Sequence, residues 1–168
     1  TGSAAGNYTL QQPIGLTNSI TPATLTVTGL TANSKVYDKT TTATIGGTGT
    51  LSGVIGADNV TLSGSPTANF SSANVGVAIP VTVSGYTLGG AQGGNYTLTS
   101  PVGFSADITA KALTITTPGA SNKVYDATIT ATVTGTLSGL IAGDACTLTL
   151  SGTFASKNVG TSIAVTST

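Results

Sequence analysis

"GNYTLTSPVGFSADITAKALTITTPGASNKVYD" at residues 94–126 repeats "GNYTLQQPIGLTNSITPATLTVTGLTANSKVYD" at residues 6–38, without a gap, at an offset of 88. The correspondence continues beyond Asp38 and Asp126. "GTLSGVIGADNVTLS" (49–63) matches "GTLSGLIAGDACTLT" (135–149), and "NFSSANVGVAIPVTVS" (69–84) matches "TFASKNVGTSIAVTST" (153–168). Self-similarity at a fixed period is the mark of a repeat architecture, so it governs every other reading. The unit is about 88 residues long, the later matches falling at offsets of 86 and 84, and this is the size of an immunoglobulin-like sandwich. One unit is whole, residues 23–110. Residues 1–22 read as the C-terminal part of a preceding repeat and residues 111–168 as the N-terminal part of a following one.

Within a unit, apolar residues alternate with threonine and serine. Leu25 and Val27, Val60 and Leu62, Ile79, Val81 and Val83, Tyr96 and Leu98, and Phe104, Ala106 and Ile108 each mark one face of a half-buried strand. Glycine-rich joints such as "SGS" (63–65) and "GGAQGG" (89–94) are expected to separate them. Pro80, inside a strand pattern, points to an edge strand or a strand start. No stretch has helical periodicity. The expected fold is all-β: tandem immunoglobulin-like antiparallel β-sandwich repeats, with six to eight short strands in each.

Composition closes off several functions. The chain has five lysines, five aspartates, no arginine, glutamate or histidine, and a formal net charge of zero. A nucleic-acid partner needs a basic stripe that displaces counterions from phosphate, and there is none. No apolar run approaches the ~18 residues of a membrane span, so membrane insertion is not expected. Without histidine, neither a Ser-His-Asp nor a Cys-His nucleophile can be built, and the usual zinc sites fall with them. No cofactor, metal site or enzyme activity is expected. Cys146 is the single cysteine and stands where the earlier copy has Val60, which reads as a small buried hydrophobe.

Charge is scarce, so the charges that recur are informative. Lys35, Tyr37 and Asp38 return as Lys123, Tyr125 and Asp126, and Asp58 returns as Asp144. Lys39 does not return, because its counterpart is Ala127. The structural reading has Asp38 accepting backbone N–H bonds in a turn, Tyr37 burying its ring, and Lys35 pairing with a carboxylate. A chemical reading is a self-made isopeptide bond. Lys35 would attack the carboxamide of Asn95 while Asp58 relays the proton, with Lys123 and Asp144 as the equivalents in the second copy. That reaction needs a neutral amine, which burial favours. Strand parity weighs against it, since Tyr96 facing the core turns Asn95 outward. A calcium site would need about six to eight oxygens, and each aspartate turn offers one carboxylate.

Together "KVYDKTTTA", "VIGADNVTL", "ANVGVAIPVTVSGYTLGGAQGGNYTL" and "FSADITAKALTIT" resemble the YDG/MBG repeat modules of large bacterial surface exoproteins, the filamentous-haemagglutinin-like adhesins. The resemblance covers the whole chain. One departure is plain: the family usually carries glycine after Tyr-Asp, where this chain has Lys39 and Ala127, so the turn either avoids positive φ or accepts strain. The resemblance implies a structural repeat of an extracellular or cell-surface adhesin, stalk or filament. Its partners would be neighbouring repeats, or identical subunits joined head to tail in a fibre by strand complementation. The alternative is a glycan- or receptor-binding module of an adhesin taking host or matrix glycans. Among the tyrosines, only Tyr86 falls outside the repeat's core positions to serve it.

Overall fold

The computed structural model describes residues 2–168. The fold is all-β, with twelve strands and two 3-10 turns, Ala5–Asn7 and Gly93–Asn95, among the described residues. The strands are β1 (Ala23–Asn33), β2 (Lys35–Val36), β3 (Thr42–Ser52), β4 (Thr61–Phe70), β5 (Gly76–Gly89), β6 (Tyr96–Leu98) and β7 (Phe104–Thr109). They are followed by β8 (Thr114–Ala120), β9 (Thr130–Ala131), β10 (Val133–Ser138), β11 (Gly152–Phe154) and β12 (Val165–Ser167). The first seven are hydrogen-bonded in the order β2-β7-β5-β4-β3-β1-β6. The rest form a pair, β10-β8, and a triplet, β12-β11-β9.

Two compact units divide the chain. One gathers the residues up to 30 with 48–66 and 84–101; the other gathers 31–47, 67–83 and 102–168. The long strands β1, β3, β4 and β5 contribute residues to both. In the first unit Leu25, Val27 and Tyr96 are buried. Here β6 lies parallel to β1, with Tyr96 opposite Ala23 and Leu98 opposite Leu25. In the second unit the core is Ala43, Ala68, Phe70, Ile79, Val81, Val83, Ala106 and Ile108, with Ala131 from the later segment. There β7 runs antiparallel to β5 and parallel to β2. The alternation read from the sequence is therefore the alternation that is buried.

Four expectations change, three of them about the strands. Antiparallel pairing was expected throughout, yet β1–β6 and β2–β7 are parallel. Short links dictate antiparallel pairing only between strands that are neighbours in sequence, and each of these pairs joins strands far apart in the chain. The strands are also longer than the glycine joints suggested. "SGS" lies inside β4 and "SG" at 84–85 inside β5, with Gly64 at φ 102 and Gly85 at φ 92. A glycine at positive φ bends a strand without ending it. A side chain could not replace either one, because a Cβ on Gly64 would strike the carbonyl oxygen of Gly85 and a Cβ on Gly85 would lie 2.7 Å from that of Ser65. Finally, Pro80 sits within β5, between β4 and β7, not at an edge. Its carbonyl accepts the N–H of Ser71, one residue past β4, so the missing proline N–H falls at the last rung of that ladder.

The later segment repeats the earlier pairings. Thr42 pairs with Asn69 and Ala43 with Ala68; Thr130 pairs with Thr153 and Ala131 with Gly152. The N–H of Phe70 bonds the Thr41 carbonyl and that of Phe154 the Ile129 carbonyl, both at 2.7 Å. Cys146 is exposed, not a buried hydrophobe. Residues 145–151 form no strand, whereas Val60, the counterpart of Cys146, is half-buried directly before β4.

Candidate functional site: the lysine–aspartate–threonine clasp

The recurring Lys-x-Tyr-Asp stretch builds the same small site twice. Asp38 follows β2, and its Oδ1 accepts the Thr40 N–H two residues on, at 2.9 Å, which is an Asx-turn. The Thr40 hydroxyl donates to the same oxygen at 2.8 Å. This turn forces the residue between them into the left-handed region, with Lys39 at φ 69 and Ala127 at φ 64. Here the chain accepts the strain that glycine would avoid. Lys35 reaches back from β2 and donates to Asp38 Oδ1 at 2.7 Å, to the Thr40 carbonyl at 2.7 Å and hydroxyl at 2.9 Å, and to the Thr42 carbonyl at 3.0 Å. Its ammonium lies 5.6 Å from the centroid of the Phe70 ring, within cation–π range.

The second copy is nearly superposable in its distances. Lys123 donates to Asp126 at 2.7 Å and to the Thr128 carbonyl and hydroxyl at 2.8 Å, and its Nζ is 5.7 Å from the Phe154 ring. The lysine beside each aspartate, helped by the threonine N–H and hydroxyl, holds both carboxyls down to about 2. The charge on Asp38 and Asp126 is therefore fixed across ordinary pH. One difference is instructive. In the first copy the Tyr37 N–H bonds the Thr109 carbonyl of β7 at 2.8 Å, and Tyr37 is half-buried. In the second copy Tyr125 is 59% exposed.

The remaining candidates have local partners. Asp58 accepts the Tyr96 hydroxyl at 2.6 Å, and that hydroxyl accepts the Ile55 N–H at 3.1 Å. The Asp58 carboxylate raises the Tyr96 phenol above its ordinary range. Asn95 ends the 3-10 turn before β6 and is exposed. Lys35 belongs to one compact unit, Asp58 and Asn95 to the other. The structure thus gives Lys35 to Asp38 in its own loop, Asp58 to Tyr96, and Lys123 to Asp126 instead of Asp144. An ammonium held on a carboxylate is also the wrong form for attack on an amide. Tyr86 is half-buried in β5.

One contact was missed by reading the sequence. Lys39 donates to Asp144 at 2.9 Å and, more weakly, to the Ala142 carbonyl at 3.4 Å. Lys39, and then a hydrogen bond from Tyr37, lower the Asp144 pKa; the same hydrogen bond raises that of Tyr37. The clasp loop of the first copy therefore grips the aspartate turn of the second. Lys39 carried no signal because it is not repeated. No group of three or more metal-ligating acidic, cysteine or histidine side chains occurs among the described residues.

An all-β chain in which one lysine–aspartate–threonine turn recurs defines a β-module whose recurring lysine and aspartate brace their own loop. The chain belongs to the YDG domain family: the family's model matches residues 21–103 and again residues 109–168. No curated protein and no solved structure matches it.

Proposed function

We propose that the chain is a structural module of an extracellular bacterial adhesin, stalk or filament, built of immunoglobulin-like repeats joined head to tail. The observation that carries this reading is the grip of Lys39 and Tyr37 on Asp144. It ties one YDG match to the next through side chains, and the recurring polar residues are spent on bracing loops. A module that spaces or stiffens needs such junctions, and it needs its charges satisfied internally. A nearly neutral, threonine-rich surface also lets copies approach with little charge to desolvate. The test is immunogold electron microscopy of intact source cells with an antibody raised to this chain. Gold along surface fibres or stalks is the expected outcome, and gold confined to the cell interior would overturn the reading.

A further inference from the structure

Two strand pairs of the 23–110 repeat are parallel, and they share one register. Ala23, Thr24 and Leu25 of β1 lie opposite Tyr96, Thr97 and Leu98 of β6, and Lys35 and Val36 of β2 lie opposite Ile108 and Thr109 of β7. The partners stand 73 residues apart in both pairs (96 − 23 and 108 − 35). Each opening strand of the repeat therefore runs beside a closing strand, in the same direction.

Both pairs are held by more than their ladders. At the first, the Thr99 N–H donates to the Leu25 carbonyl at 2.9 Å. At the second, the Tyr37 N–H donates to the Thr109 carbonyl at 2.8 Å, the Asp107 N–H to the Ser34 hydroxyl oxygen at 3.0 Å, and the Thr109 hydroxyl to the Lys35 carbonyl at 3.3 Å. The two most deeply buried large side chains among the described residues sit one on each pair, Leu25 and Ile108.

Strand direction decides how a pair answers tension along the chain. Tension acts on the N-terminal end of the earlier strand and the C-terminal end of the later one. In an antiparallel pair those ends lie together, so the ladder opens one rung at a time. In a parallel pair they lie at opposite ends, so one strand must slide along the other and every rung is strained at once. Forced unfolding is governed by the unfolding rate, and a step that breaks several bonds together is slow.

We propose that the 23–110 repeat is a force-bearing module, with β1–β6 and β2–β7 as shear clamps and the Lys35 clasp as the rivet of the second. The inference deepens the structural reading above and rests on it for the source of the tension. Tension from the N-terminal side meets β1–β6 first, and tension from the C-terminal side meets β2–β7 first. A rivet is needed at β2 because it is two residues long and has β7 as its only sheet neighbour. Lys35 ties it to the start of β3 through the Thr42 carbonyl at 3.0 Å. It also ties it to the intervening turn through Asp38 and the Thr40 carbonyl, both at 2.7 Å. β2 cannot slide along β7 without breaking those bonds.

The test is single-molecule force spectroscopy on the full chain with Cys146→Ser and paired cysteine handles. Thr21→Cys with Ala110→Cys applies tension through both pairs as the native chain would. Thr21→Cys with Gly94→Cys pulls at the same end of β1 and β6 and peels that pair; a Cβ on Gly94 meets no atom within 4 Å. The first geometry is expected to rupture at a several-fold higher force, releasing about 300 Å as the chain between the handles extends. Lys35→Met keeps the aliphatic stem and removes the ammonium. It should lower the force in the first geometry, because the unriveted β2–β7 pair yields first, and leave the second unchanged. Equal forces in the two geometries would overturn the shear clamps, whether or not the position-35 variant folds. A Lys35→Met loss of equal size in both would remove the clasp from them. Fibres on cells with equal forces would sink the clamps and leave the structural role standing; a high shear force from a chain found only inside cells would do the reverse.

Discussion

The residue after Tyr-Asp is the sharpest place to test the energetics. Ala127 is held at φ 64 because Asp126 must reach the Thr128 N–H at 2.9 Å. At positive φ a Cβ crowds the neighbouring carbonyl, which costs about 1–2 kcal/mol relative to an unstrained residue. The Ala127 side chain is exposed and so contributes little packing in return. Ala127→Gly removes the crowding. It also gives the unfolded chain more freedom, which takes back about 0.4–1 kcal/mol. The net is a gain of about 0.5–1 kcal/mol. For a chain of this length that raises Tm by about 1–4 °C. Urea titration followed by circular dichroism measures it: the midpoint should rise with the slope unchanged. Ala127→Val, which adds a β-branch at the same φ, should lower the midpoint. Lys39→Gly relieves the same strain at φ 69 but removes the ammonium from Asp144, so its gain should be smaller. A midpoint that falls in Ala127→Gly would refute the strain argument, and a Lys39→Gly gain as large as that of Ala127→Gly would show the Lys39–Asp144 pair to be idle.

Acid should weaken the clasps. The carboxyls of Asp38 and Asp126 are depressed to about 2, so their contribution is complete above the ordinary carboxylate range and is lost as pH falls from about 4 toward 2. The pH dependence of the urea midpoint in that window should flatten in the Lys35→Met, Lys123→Met double variant; an unchanged profile would assign it to other carboxylates. Ile108→Ala, at a position 1% exposed, should cost about 2–5 kcal/mol by denaturant titration, and a loss under about 1 kcal/mol would mean that the β7 position is not a packed core. Intact mass spectrometry should give the full mass of the chain with no loss of ammonia, because Lys35 and Lys123 are ion-paired within their own loops; a mass lower by one ammonia would restore the isopeptide reading.

Much of the fold was legible because burial in a strand has a period of two. Leu25 and Val27, Ile79, Val81 and Val83, and Ala106 and Ile108 are buried as their alternation requires. What alternation cannot carry is where a strand stops or which neighbour it takes. Gly64 and Gly85 look like breaks in a one-dimensional pattern, but positive φ inside a paired strand is a bend, and only the facing carbonyls distinguish the two. The parallel pairings of β6 with β1 and β7 with β2 depend on contacts between strands distant in the chain, and no local pattern records them.

Comparison of the two copies had a sharper limit at the candidate site. Recurrence selects what every repeat needs for itself, and it found Lys35 and Asp38, whose geometry is indeed the same in both copies. By the same logic it discards a residue that acts only between copies. Lys39 was set aside because Ala127 replaces it, yet Lys39 holds Asp144 of the next YDG match. Asp144 was kept as an internal acid, and its partner proved to come from the preceding copy. A charge that fails to recur between the two YDG matches is therefore not idle, since Lys39 pairs with an aspartate of the other match. Lys39 stands where a following aspartate turn is within reach. In the 109–168 match the same loop position carries Ala127, exposed and at φ 64, with no ionic group to pair with an aspartate.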